Sequence, residues 1–410
     1  MTGATIRTVQ KYGGSSVATA DHIKRVAGLV AARHQAGEQM VVVVSAMGDT
    51  TDELLDLAAQ ITKKGRAREM DMLLSTGEIV SSALLSMALH ELGVEAVSLT
   101  GQQAGIRTDA VFRGARIAGI ETARMERELS AGRVVIVAGF QGVSEDLDVT
   151  TLGRGGSDTT AVALAAAVKA NTCEIYTDVA GIYTADPRIC PEARPLRDIG
   201  YEEMLELATT GARVMHARAV ELGALHGVEI LVRSTFDPAA PGTVIRKETT
   251  MEQGNKVRGI AHESRMAKVT VRGVPDRPGI AAMIFEPLAQ AGVSVDTIVQ
   301  NASVERMTDL TFTVDPDALD GALEVMNRLL PEIGAQEVIT SSDLGTVSIV
   351  GTGMASAPGY AGTMFRALFD AGVNIDMIST GDIRITCVVA ADRVADAVRA
   401  LHRAFELDQA

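Results

Sequence analysis

An α/β architecture, an open and mostly parallel sheet followed by two small repeated modules, is what this 410-residue sequence predicts. Three observations carry the prediction. From residue 5 to about residue 235, β-branched apolar runs alternate with stretches of helical period, the pattern of strands joined by crossover helices. Around residues 237 to 262 that pattern lapses into Asp237-Pro238-Ala239-Ala240-Pro241-Gly242 and a polar stretch through Asn255, which marks a boundary. Beyond it, Pro278-Gly279 recurs as Pro358-Gly359, Phe285 as Phe365, Leu288 as Leu368, and Ala291-Gly292-Val293 as Ala371-Gly372-Val373, each offset by 80 residues.

Taken in order, Val41 to Val44 and Val134 to Val137 read as strands buried on both faces. Between the first two strands, Ile23, Val26, Ala27 and Val30 recur at helical spacing, with Thr19 as the expected cap and Gly37 as the stop. Each copy of the repeat reads as strand, Pro-Gly turn, helix, tight Ala-Gly turn, strand, then a further strand and helix: a ferredoxin-like βαββαβ plan. The expected divisions are 1–245, 263–340 and 345–410. A duplicated structural module and a regulatory one fit the repeat equally well.

Composition narrows the function classes. A formal charge of -14 without a visible basic patch argues against nucleic acid and anionic membrane as partners. Cys173, Cys190 and Cys387 are too scattered for a disulfide framework or a zinc site, so a reducing compartment is expected. The valine-rich runs are too short to span a bilayer, and the N-terminus lacks a basic segment followed by an apolar run. The expectation is a soluble cytoplasmic protein.

Four constellations carry candidate chemistry. The first strand ends in Lys11-Tyr12-Gly13-Gly14-Ser15-Ser16, where paired glycines open the main chain to an anion beside one of only eight lysines. The same residues also suit an ordinary glycine turn with a surface lysine. Gly153-Arg154-Gly155-Gly156-Ser157-Asp158 precedes an alanine-rich helix expected from Thr159 to Ala170. A helix N-terminus and Arg154 would grip an anion, while Asp158 offers a handle for an ammonium, so the loop suits a zwitterionic amino acid. Ser157 and Asp158 alone would equally serve as a helix cap. Glu78 stands in an otherwise apolar segment, as a partly buried carboxylate in want of a cation or as a solvated helix position. Tyr176-Thr177-Asp178 and then Gly181 to Arg188 offer an aromatic, carboxylates and an arginine, suited to a nucleotide or to a proline-containing turn.

Taken together, Lys11 to Ser16, Val44 to Asp52, Thr76-Gly77-Glu78, Gly139-Phe140-Gln141-Gly142, Gly153 to Asp158 and Thr177 to Arg188 resemble the aspartate kinases of the amino acid kinase superfamily. The resemblance runs along nearly the whole chain, and the repeat resembles that family's paired ACT domains, which bind free amino acids. It implies ATP as phosphoryl donor with magnesium, and L-aspartate as acceptor. It places Lys11, Tyr12, Gly13 and Gly14 at the phosphates and Ser45 near the nucleotide, with Lys11 and Asp158 as the catalytic pair. Thr177, Asp178, Tyr183, Thr184, Ala185, Asp186, Pro187, Arg188 and Arg213 fall on the nucleotide side. Thr51, Glu78, Arg154, Gly155, Gly156 and Ser157 would hold aspartate.

The chain departs from the family pattern at Ala180, commonly Asp, and at Arg213, often Lys. For the repeat, the resemblance implies threonine and lysine as inhibitors. Asp276, Asp296, Gln300, Asn301, Asn374, Ile375, Asp376, Thr380, Gly381 and Asp382 are the expected effector residues. Gly381 and Asp382 stand where relatives have Ser and Glu, which withdraws a hydroxyl and shortens a carboxylate. A dimer or larger oligomer through the C-terminal half is expected, with Met251 placed where a separately translated small subunit would start. Acetylglutamate kinase and uridylate kinase share the glycine loops but leave the repeat unexplained. A catalytically idle amino-acid sensor is the rival from another class, opposed by the joint presence of Lys11, Glu78, Arg154 and Asp158.

Overall fold

A computed structural model describes residues 6–212, 214–247, 256–301 and 307–409. The chain gathers into two units: Met1–Tyr183 with Pro195–Thr209 and Arg213–Gln253, and Thr184–Arg194 with Thr210–Ala212 and Gly254–Ala410. The excursions at 184–194 and 210–212 fall inside the span 1–245 that the sequence reads as one domain.

The first unit runs through β1 (Arg7–Tyr12), α1 (Ala20–Gln35), β2 (Gln39–Val44), α2 (Thr50–Ile61), α3 (Ala67–Leu74), α4 (Thr76–Glu91), β3 (Ala96–Leu99), β4 (Ile106–Thr108), β5 (Ile117–Ile120) and α5 (Ala123–Ser130). It continues through β6 (Val134–Ala138), β7 (Gln141–Val143), β8 (Val149–Thr151), α6 (Gly156–Ala167), β9 (Thr172–Thr177), β10 (Asp198–Gly200), α7 (Tyr201–Thr209), α8 (Ala217–His226), β11 (Ile230–Ser234) and β12 (Thr243–Arg246). Eight strands form one sheet in the order β10-β12-β11-β9-β1-β2-β6-β3, parallel at every junction but β11–β12. A smaller sheet orders β5-β4-β7-β8. The valine runs, β2 and β6 of the eight-stranded sheet, are fully buried, as strands covered on both faces must be.

Helix limits follow the sequence signals at α1. Thr19 accepts from the His22 N–H (3.2 Å), and Gly37, at φ +96°, ends the helix. At α6 they do not. The helix starts at Gly156, three residues before the expected Thr159, and ends at Ala167; its N-cap is Gly155 in the left-handed region, so Ser157 and Asp158 lie in the first turn and do not cap it. The run Ala67–Glu91 is long and apolar enough by composition to cross a membrane, but half of its most apolar window is buried in the unit, as in a core helix.

Strand alternation sorts the side chains of β1. Tyr12 is fully buried, its ring stacked on Tyr176 at 4.7 Å and its hydroxyl donating to Gln10. Gln10 donates to Glu174 (2.8 Å), which also takes the Arg33 guanidinium (3.0 Å). Lys11, between these two residues, therefore points to the opposite face, the one that carries α6.

The second unit contains β13 (Gly259–Pro275), α9 (Ile280–Gln290), β14 (Val295–Gln300), β15 (Met307–Val314), α10 (Leu319–Ile333), β16 (Glu337–Val350), α11 (Tyr360–Asp370), β17 (Met377–Thr380), β18 (Arg384–Ala390) and α12 (Val394–Ala404). The repeat is preserved in geometry: Gly279 at φ +90° caps α9, and Gly359 at φ +112° caps α11. All six strands join one antiparallel sheet, β14-β15-β13-β16-β18-β17.

Two long strands are common to both modules. Lys268–Arg272 of β13 pair with Ser341–Glu337 of β16, while Gly259–Glu263 pair with Val350–Thr346. The second module thus takes its fourth strand from residues that precede the first. Its core joins Val347, Ile349, Met364, Leu368, Leu401 and Phe405 to Ala185 and Cys190 of the Thr184–Arg194 excursion. The Thr184 carbonyl accepts from Ile260 N–H (2.8 Å), its hydroxyl meets His402 Nε2 (2.9 Å), and Arg194 Nε donates to the Leu407 carbonyl (2.9 Å).

Candidate active site

Lys11 and Asp158 meet at the mouth of a cleft in the first unit. The ammonium lies 2.6 Å from a carboxylate oxygen, with both side chains only about a tenth exposed. The ammonium handle read at Asp158 is thus taken by the chain's own lysine, joining residues 147 positions apart. Lys11 Nζ also lies 3.4 Å from where a Cβ on Gly13 would stand. The Gly13 N–H itself is bound to the Tyr176 carbonyl (3.2 Å), and a Cβ on Gly14 would press on the carbonyls of Ala46 and Gly48 at 3.1 Å.

The cleft, of about 270 Å³, is lined by Lys11, Gly14, Ser45, Thr51, Glu78 and the whole stretch from Gly153 to Asp158. The structure therefore brings both glycine loops, the end of β2, the start of α2 and the start of α4 to one place. Glu78, in the first turn of α4, is 3% exposed and accepts from the Ala46 N–H (3.1 Å). Among the described residues no cation pairs with it, and its other oxygen has no hydrogen-bond partner. Burial pushes its carboxyl up to about 7, with main-chain N–H groups pulling the other way. Arg154, between two glycines in the left-handed region (Gly153 φ +77°, Gly155 φ +67°), is exposed.

Several expected site residues lie outside the lining of this cleft. Tyr12 keeps its ring and hydroxyl inside the core, so only its main chain is available to a ligand. Thr184 and Ala185 are buried in the second module's core, and Asp186 is paired with exposed Arg188 on the same segment (2.7 Å). Thr177 and Asp178, at the end of β9, bond to each other (2.9 Å), and Tyr183 bridges Pro195. Arg213 and Met251 lie outside the described residues.

Of the effector residues, Asp276, Asp296, Gln300, Asn301, Asn374, Thr380, Gly381 and Asp382 are exposed, and Ile375 is half-buried. Asp376 carries the Lys268 ammonium.

Some features of the cleft escaped sequence reasoning. Phe140 lines it at φ +68°, a strained conformation for an aromatic residue, and a Cβ on Gly156 would strike its ring at 2.8 Å. The pattern Gly139-Phe140-Gln141-Gly142 was the available signal. Asp71 on α3, fully buried, accepts from Thr151 N–H (2.7 Å), the Thr151 hydroxyl (2.9 Å) and Arg113 N–H (3.0 Å), an arrangement no local pattern announces.

The amino acid kinase family model matches residues 7–234, the span that holds this mostly parallel sheet, the Lys11 strand and the glycine-to-helix turn facing it. ACT domain models match residues 269–331 and 347–405. The chain is 50% identical over 405 residues to an aspartokinase of Mycolicibacterium smegmatis, covering 97% of this chain and 96% of that one. Among solved structures it is similar to E. coli aspartokinase III in complex with aspartate and ADP (TM-score 0.82, 27% identity, 97% of this chain and 99% of the other). The same enzyme with lysine and aspartate matches at TM-score 0.73 and 28% identity, over 97% and 98% of the two chains. The chain belongs to the aspartokinases of the amino acid kinase family: it is an ATP-dependent aspartate kinase with ACT domains that imply allosteric regulation.

Proposed function

We propose that the cleft between the two glycine loops transfers the γ-phosphoryl group of ATP to the β-carboxylate of L-aspartate. The observation that carries this assignment is the Lys11–Asp158 pair standing in the same cleft as Glu78, Thr51, Arg154 and Ser157. Asp158 holds the Lys11 ammonium toward the reacting oxygens, and Gly14 and Ser15 supply main-chain donors to the phosphates, since the N–H groups of Gly13 and Ser16 are committed to the Tyr176 and Gly13 carbonyls. Ser45 stands beside them. The acceptor is already ionised at neutral pH, so these residues align and neutralise, and no base is required. Magnesium would bind chiefly through the phosphates of ATP, supplying further neutralisation, which suits a cleft whose described residues include no cluster of three or more acidic, His or Cys side chains. Thr177, Asp178 and Tyr183 are the proposed nucleoside contacts.

For aspartate, Arg154 takes a carboxylate, Thr51 and Ser157 add hydroxyls, and Glu78 takes the ammonium. The Glu78 assignment gives a pH dependence. Below about 7 the carboxyl holds its proton and cannot pair with an ammonium, so the KM for aspartate should rise roughly tenfold per unit as pH falls through that value, and level off above it. A KM for aspartate that stays flat from pH 6 to 8 would remove Glu78 from this role.

The ACT pair is proposed to respond to threonine and to lysine, the latter found with E. coli aspartokinase III. An effector ammonium directed to Asp376 would have to displace Lys268. The exposed edges of the six-stranded sheet, β14 and β17, support a dimer through this half; a second product starting at Met251 would lack the Thr184–Arg194 segment that completes the second module's core and would have to take that cover from a full-length chain. Three free, buried cysteines suit a cytoplasmic enzyme. Hydroxylamine trapping of aspartyl phosphate, with each amino acid alone and with both at millimolar levels, tests the catalytic and effector readings together. Hydroxamate formation that no combination of the two effectors reduces would leave the catalytic assignment standing and make the ACT pair structural.

A further inference from the structure

Three glycines in four residues give the turn from Leu152 to Gly156 more backbone freedom than any other part of the cleft, yet Arg154 must stand in one place to grip a substrate. Three side chains, distant in sequence, remove that freedom. The His216 ring lies directly against Gly155: a Cβ there would be 2.2 Å from its Cγ. Arg218, from the first turn of α8, donates to the Leu152 carbonyl (2.7 Å) and to the Ala115 carbonyl (3.0 Å). Asp71 holds Thr151 and Arg113, and the Arg113 carbonyl lies 3.0 Å from where a Cβ on Gly153 would stand. None of the three lines the cleft.

We infer that His216, Arg218 and Asp71 are positioning residues that pre-set the Arg154 turn for the amino-acid substrate. The inference rests on the assignment of that turn to aspartate. Burial holds His216 below the ordinary imidazole range, and Arg218 and Arg154 nearby add to this against the pull of Asp158. The ring therefore serves as a neutral floor and adds no charge beside Arg154. With the buttress in place, the ordering of a glycine turn is completed on folding and does not weaken substrate binding. Without it, the cost falls on aspartate binding and not on the nucleotide or the chemical step.

The test compares His216→Ala and Arg218→Lys, the second keeping charge but losing the planar fork, with Arg154→Ala as reference. Each buttress variant should raise the KM for aspartate about tenfold, with the KM for ATP within about twofold and kcat within about threefold. Thermal midpoints report whether the fold is kept. Equal increases in both KM values, or a lowered midpoint with both KM values unchanged, would show a merely structural role and overturn the inference. If Arg154→Ala itself leaves the KM for aspartate unchanged, the assignment of the turn fails first and the inference with it. If Arg154→Ala raises that KM while the buttress variants do not, the assignment survives and only the inference falls.

Discussion

Replacing Lys11 by alanine should lower kcat by about three orders of magnitude while changing the KM for aspartate less than about threefold. The side chain is the cation that strand alternation sends from β1 to the mouth of the cleft, where its ammonium is 2.6 Å from Asp158. Charge on the transferred phosphoryl group develops in the transition state, so a residue acting there appears in kcat more than in substrate affinity. Asp158 is 8% exposed and loses its cation in the variant, so the thermal midpoint should fall as well. Rates at saturating ATP and aspartate decide the matter: near-normal turnover in the alanine variant would make Lys11 a structural partner of Asp158 and move the phosphate site elsewhere.

Arg154→Ala should raise the KM for aspartate about a hundredfold and that for ATP by less than about threefold, since hydrogen bonds to a charged group contribute roughly 1.5–3 kcal/mol each and a guanidinium can make two. Lysine at the same position should recover only part of the loss, because a point charge cannot reproduce the fork. Comparable increases for both substrates would reassign the second glycine loop to the phosphates.

Local patterns located much of this in advance. The cap at Thr19, the stop at Gly37 and the valine strands were readable because each depends on residues within one turn or one strand. The repeat was readable because Gly279 and Gly359 impose the same left-handed caps 80 residues apart. The start of α6 was misplaced because Gly155 caps by conformation instead of by a side chain. Pairings across long separations were not readable: Lys11 with Asp158, Asp71 with Thr151, Thr184 with His402. For the same reason the cores that take the side chains of Tyr12 and Ala185, next to functional motifs in sequence, were not readable.

The Thr184–Arg194 segment bears on how this gene can be divided. A catalytic fragment ending near residue 247 would carry Ala185 and Cys190 without the apolar partners that cover them in the full chain. A sensor fragment starting at residue 256 would leave the Ile260 N–H and His402 without the Thr184 groups they bond, in a core missing Ala185, Cys190, Ile189 and Ala193. Modularity in the linear map, two recognisable halves with a polar joint, is therefore not modularity in folding. Fusions, truncations or exchanges of effector specificity that move the C-terminal half alone would have to move these eleven internal residues with it.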